Sequence, residues 1–171
     1  MVSPRVILIG PPGAGKSTVG AMVADRLGLP FVDTDALIVQ EQQRSVSDIF
    51  VVDGEETFRR LEADAARRSL DAETVLALGG GAPIQDAVAE LLAGHRVLFL
   101  DVAIADASGR IGFDQSRPLL AVNPRATWSR MMTQRRPAYE RLATWVVDTA
   151  GKDVETVVEE VLAHVTKVDH D

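Results

Sequence analysis

The sequence predicts an α/β fold of three layers, with a five-stranded parallel sheet between helices. Three observations lead there. Apolar runs and helical stretches alternate along the whole chain, the pattern of β-α-β units whose crossovers cover both faces of a parallel sheet. A glycine-rich loop, residues 10–18, stands between the first apolar run and the first helical stretch. The predicted strands end in Gly10, Asp33 and Asp35, Gly79-Gly80-Gly81, Asp101 and Asp148, and ligands of such sheets sit at the carboxyl ends of strands.

In chain order, residues 5–9 form the first strand and 17–27 a helix closed by Gly28. A short strand at 30–32 leads through Asp33-Thr34-Asp35 into a helix at 36–42. Ser45-Val46-Ser47-Asp48 starts a further helix that stops at Asp53-Gly54, since serine caps helix starts and glycine follows helix ends. A long, charge-rich helix covers 55–70, and a third strand at 74–78 meets the three glycines. Residues 86–92 are helical, 96–100 form the fourth strand, and 103–110 return to helix. Residues 111–123 show no period and contain Gly112, Pro118 and Asn123. Two helices are expected at 124–134 and 137–142, a fifth strand at 145–147 and an amphipathic helix at 154–165.

At 171 residues the chain predicts one domain, 1–171, large enough for a real core. A net charge of −7 argues against nucleic acid or an anionic membrane as partner, so an anionic substrate needs a local basic cluster. No cysteine is present, which removes disulfide and thiolate chemistry and is compatible with a cytoplasmic address. Residues 6–9 run straight into the glycine loop, so no leader peptide is expected, and no apolar run nears the ~20 residues that span a bilayer. His95, His164 and His170 lack metal-ligand spacing.

Gly10-Pro11-Pro12-Gly13-Ala14-Gly15-Lys16-Ser17-Thr18 fits G-x-x-x-x-G-K-[ST] between a strand and a helix. Backbone N–H groups from Gly13 through Ala14, Gly15, Lys16, Ser17 and Thr18 are expected to cradle the phosphates of ATP or GTP. Lys16 reaches the outer phosphates, and the Ser17 hydroxyl is suited to Mg²⁺. No guanine-reading Asn-Lys-x-Asp occurs. A small chain with a loose, basic late segment fits a kinase with a lid, transferring a phosphoryl group to a small acceptor.

Asp33 and Asp35 lie two apart at a strand end, one suited to the metal and the other to a substrate hydroxyl, although Asp35 also suits a helix N-cap. Asp101 is a rival metal carboxylate, because an apolar strand precedes it. Gly79-Gly80-Gly81 permits close backbone approach to a ligand. Arg59, Arg117 and Arg135 are candidates to turn inward, with bidentate carboxylate binding the usual device. Arg60, Arg67 and Arg68 are expected to stay solvated.

Together, the phosphate-loop sequence, Asp33-Thr34-Asp35, Phe58-Arg59-Arg60-x-Glu62, Gly79-Gly80-Gly81-Ala82, Arg117-Pro118-Leu119-Leu120 and Arg135-x-Pro137-x-Tyr139 resemble the shikimate kinase family. The resemblance implies a nucleoside-monophosphate-kinase-like sheet ordered 2-3-1-4-5. It also implies transfer of the ATP γ-phosphate to the 3-hydroxyl of shikimate, a step of aromatic amino-acid biosynthesis. In that reading Asp35 holds the hydroxyl and Asp33 joins Ser17 at Mg²⁺. Arg59 and Arg135 grip the shikimate carboxylate beside Gly80 and Gly81. Arg117, on a lid at 111–124, meets the transferring phosphate, and Arg110 lies against adenine. Residues 33–62 form the acceptor region, and a monomer is expected. Ala138 stands where the family more often has leucine, and residues 150–154 lack a proline the family often carries. The alternatives are a gluconate-type kinase of the same architecture and a nucleotide-dependent switch without kinase activity.

Overall fold

The structure, a computed structural model, describes residues 2–103, 106–107 and 123–167. Most of the predicted helix at 103–110 and of the 111–124 segment, with Arg110 and Arg117, lies outside them. Five strands, β1 (Val6–Ile9), β2 (Phe31–Asp33), β3 (Val75–Ala77), β4 (Val97–Asp101) and β5 (Trp145–Asp148), form one sheet in the order β2-β3-β1-β4-β5. Every pairing is parallel. The register sets Asp33 beside Ala77, and Asp101 beside Asp148. Carboxylates and glycine turns are therefore gathered along one edge.

β1 is wholly buried, as are Val97 to Leu100 of β4, which is why both read as unbroken apolar runs. Helix α1 (Lys16–Leu27) packs on β3 and on the last helix, α7 (Val154–Lys167). α4 (Glu55–Arg68), α5 (Asp86–Leu92) and α6 (Pro124–Leu142) gather around the short turn Ala82–Ile84 that follows the glycines. A separate small core, Ile38, Ile49, Phe58 and Ala65, joins α2 (Thr34–Gln42), α3 (Val46–Asp53) and α4. Arg68 makes two bonds to Glu41, 2.8 and 3.0 Å, that tie α4 to α2.

Within the described residues the expected elements recur with shifted ends. α1 begins at Lys16, one residue early, because Gly15 at φ 87° supplies its left-handed N-cap. α2 begins at Thr34, and its cap is Asp33, whose Oδ1 accepts from the N–H of Asp35 (2.9 Å) and Ala36 (3.3 Å). Asp35 is not the N-cap; it lies in the first turn. α4 ends at Arg68, and Ser69–Asp71 tightens into a 3₁₀ turn. The two helices expected around Pro137 are one, α6, running unbroken through it. An interior proline costs a helix about 3 kcal/mol or more. Here buried Trp128, Met132 and Tyr139 anchor the helix on both sides of it.

Candidate active site

β1 delivers Gly10 into the phosphate loop, and α1 leaves it with its N-terminal N–H groups facing the loop's interior, an arrangement suited to anions. Lys16 Nζ donates to the carbonyls of Gly10 (2.7 Å) and Pro11 (3.1 Å), spanning the loop. From α6, the indole N–H of Trp128 donates to the carbonyl of Pro12 at 2.9 Å.

A cavity of about 320 Å³ opens at this loop, lined by Gly13, Lys16, Ser17, Asp33, Asp35 and Leu78 among others. The end of β2 thus faces the phosphate loop. Asp33 divides its carboxylate between two tasks: Oδ1 caps α2, and Oδ2 accepts from the Ser17 hydroxyl. On the other side of the loop a cavity of about 200 Å³ lies between Gly15, Thr18, Thr149, Lys152 and Val157. Lys152 is held there by Glu160 at 2.9 Å.

Asp35 turns toward the glycines. A Cβ built on Gly79 would stand 2.6 Å from both Asp35 Oδ1 and Glu62 Oε2, and one on Gly81 would stand 2.2 Å from Arg59 Nη1. A Cβ on Gly80 would lie 3.1 Å from Arg135 Nη1. The three glycines are the floor on which two carboxylates and two guanidinium groups converge, and any side chain there would displace them.

Each group is held by its neighbours. Arg59 Nη1 donates to Glu62 at 2.8 Å, and its guanidinium lies 5.5 Å from the Phe58 ring centroid and 5.8 Å from that of Phe50. Arg60, one residue on, is 71% exposed, as the sequence predicts. Glu62, 1% exposed, also accepts from Gln85 Nε2 at 3.0 Å. Burial pushes its carboxyl above the usual range; Arg59 pulls it back, Asp35 adds to the rise, and Gln85 opposes it. Tyr139, wholly buried, donates its hydroxyl to Gly80 O at 2.6 Å. Burial raises its phenol, with Arg135 opposing. Thr34 Oγ1 accepts from the N–H of Gly79 at 3.2 Å, so α2 fixes the start of the glycine turn.

The rival metal carboxylate is engaged elsewhere. Both oxygens of Asp101 accept from Arg136, at 2.8 and 2.9 Å, which ties it to α6, and it is not among the residues lining the cavity of Ser17 and Asp33. Sequence reasoning gave no task to Glu62, Thr34, Tyr139 or Arg136. Two of them had a signal: Glu62 is three residues after Arg59, and Tyr139 is four after Arg135, spacings that share a helix face.

The sheet order and the phosphate loop at its edge together define a protein of the phosphate-loop kinase class. The family model for shikimate kinase matches residues 12–166. A shikimate kinase of Streptomyces avermitilis is 48% identical over 163 residues, 95% of each chain. The solved shikimate kinase from Acinetobacter baumannii in complex with shikimate superposes with a TM-score of 0.89 at 29% identity, covering 98% of this chain and 94% of that one. The chain belongs to the shikimate kinase family and is a kinase that uses ATP as co-substrate. A gluconokinase from Sinorhizobium meliloti, at TM-score 0.62 and 19% identity over 95% of this chain and 91% of that one, shares the fold alone.

Proposed function

We propose that this kinase transfers the γ-phosphoryl group of ATP to the 3-hydroxyl of shikimate, giving shikimate 3-phosphate and ADP. The convergence of Asp35, Arg59 and Arg135 on the Gly79–Gly81 turn, beside the phosphate cavity, carries the reading. Shikimate offers a carboxylate at one end of a ring and hydroxyls at the other. Two guanidinium groups suit the carboxylate, since charge-assisted pairs are the strong ones. Gly80 and Gly81 give the ring a surface without side chains. Asp35, in the cavity that holds Lys16, receives the attacking hydroxyl and accepts or orients its proton.

Lys16 leaves the carbonyls of Gly10 and Pro11 for the phosphate oxygens and offsets the charge that builds there. Catalysis in this chemistry is positioning and charge stabilisation. The Ser17–Asp33 pair fits Mg²⁺. Both offer hard oxygen atoms, and no group of three or more His, Cys, Asp or Glu side chains is poised to cage a metal among the described residues. Magnesium is commonly held that way, by one or two protein oxygens with phosphate and water completing its shell. Bound there, the ion supplies further neutralisation of phosphate charge. The roles of Arg117 at the transferring phosphate and Arg110 at adenine rest on the family resemblance. Among the described residues no helix is long and apolar enough to cross a membrane.

The test is ADP release coupled to a spectrophotometric readout, with shikimate, gluconate and nucleosides as acceptors. Only shikimate should support turnover. Asp35→Asn, which keeps the shape and loses the proton acceptor, should lower kcat at least ~100-fold. Turnover with gluconate, or full activity in Asp35→Asn, defeats the proposal.

A further inference from the structure

Arg136 does not belong to the acceptor pocket, yet it makes one of the best-formed ion pairs in the molecule. Its guanidinium meets Asp101 through two bonds of 2.8 and 2.9 Å, with Glu140 at 3.6 Å on its own helix. It also lies 5.8 Å from the centroid of Phe99, whose ring packs at 5.1 Å against Tyr139. Asp101 is a fixed post. It is the last residue of β4, and its carbonyl accepts from both the N–H (2.9 Å) and the hydroxyl (2.7 Å) of Thr149.

The neighbours of Arg136 say what such a clamp would do. Pro137 has no N–H, so the helical bond it would make to the carbonyl of Thr133 is missing. The turn of α6 that carries Arg135 is therefore one backbone bond short. Consecutive helix residues point about 100° apart. A helix rolled so that Arg136 meets the end of β4 turns Arg135 and Tyr139 together toward Gly80. We infer that the Arg136–Asp101 pair is a positioning device that fixes the roll of α6 and so aims Arg135 at the acceptor's carboxylate. Arg136 is thus a determinant of selectivity for an acidic acceptor. This rests on the proposed role of Arg135.

The experiment compares shikimate with its neutral methyl ester by steady-state kinetics in four full-length proteins: wild type, Arg135→Ala, Arg136→Met, and the double variant. Met keeps much of the stem over Phe99 and removes the fork. Arg136→Met should raise KM for shikimate and cut the acid-to-ester ratio of kcat/KM by about tenfold, modest beside the ~100-fold that a 1 Å misplacement can cost. KM for ATP and kcat should stay within about threefold, well under the ~1.4 kcal/mol of a tenfold change. In the Arg135→Ala background the second substitution should cost nothing more, because coupled residues are non-additive. Arg136→Lys, with a charge but no fork, should recover part of the ratio. Asp101→Asn should move it the same way, and it decides the matter should Arg136→Met not fold. An unchanged ratio in Arg136→Met or Asp101→Asn, or additive effects in the double variant, overturns the inference. An unchanged ratio in Arg135→Ala instead overturns the carboxylate role of Arg135.

Discussion

Glu62 is a carboxyl group at 1% exposure, enclosed by Arg59, Gln85 and the turn at Gly79. Such a group is expensive to bury alone and is retained with its hydrogen bonds made. Its partners are also the means by which the phenylalanine-flanked guanidinium of Arg59 is held toward Gly81. Because burial raises its carboxyl above the ordinary range, the folded protein keeps the proton to higher pH than the unfolded chain does. That contribution to stability is complete below the unfolded value, near pH 4.5, and is lost as pH rises through the folded one. Glu62→Gln removes the titration. The melting-temperature difference, wild type minus variant, should therefore fall with rising pH above about 4.5 when thermal unfolding is followed from pH 4 to 8. A difference that grows with pH would show that the pair with Arg59 outweighs burial. At this scale the sequence was informative about chemistry and silent about partners. Asp33, Asp35, Arg59 and Arg135 stand out by motif, whereas nothing in the sequence ties Asp101, at the end of its apolar strand, to Arg136, 35 residues away.

α6 shows where local rules stop. Its proline predicts a break, and propensity alone would end the helix there. Tertiary contacts decide otherwise: Trp128 bonds to the phosphate loop before the proline, and Tyr139 bonds to the glycine turn after it. One rigid element thereby touches both halves of the site. The strands were legible for the opposite reason. Their apolar runs are closed by glycine or aspartate, and the fold needs those residues at those ends. Helix stops at Gly28 and Gly54 were legible as well, since both take positive φ, 69° and 91°. The Tyr139 hydroxyl tests the role of α6. Tyr139→Phe leaves the packing on Phe99 and strands the carbonyl of Gly80 in a buried place. An unsatisfied buried acceptor costs ~1–3 kcal/mol, and ~1 kcal/mol moves the midpoint of a domain this size by about 2–4 °C. Calorimetry should thus show a loss of several degrees, accompanied by a higher KM for shikimate. A melting temperature equal to wild type would mean that the bond to Gly80 holds nothing.

Across the whole molecule the proposed sites for the two substrates fall on different packing units. The phosphate loop hangs on the main core, between buried β1 and the start of α1, whereas Arg59 rides on a helix shared with the small core of Ile38, Ile49, Phe58 and Ala65. Ligands that bind only the folded state raise stability by mass action, about 2.7 kcal/mol at a hundredfold excess over Kd. ATP with Mg²⁺ and shikimate should therefore each raise the melting temperature, by routes that a single substitution can separate. Lys16 is the residue to change. Its ammonium bonds to loop carbonyls at 2.7 and 3.1 Å, contacts at the mouth of a cavity and not in the core. Lys16→Ala should abolish turnover and remove the increment due to ATP, while the increment due to shikimate persists and unfolding without ligand stays cooperative. If the variant instead unfolds without cooperativity, those two bonds are what hold the loop, and Lys16 is a structural residue before it is a phosphate ligand.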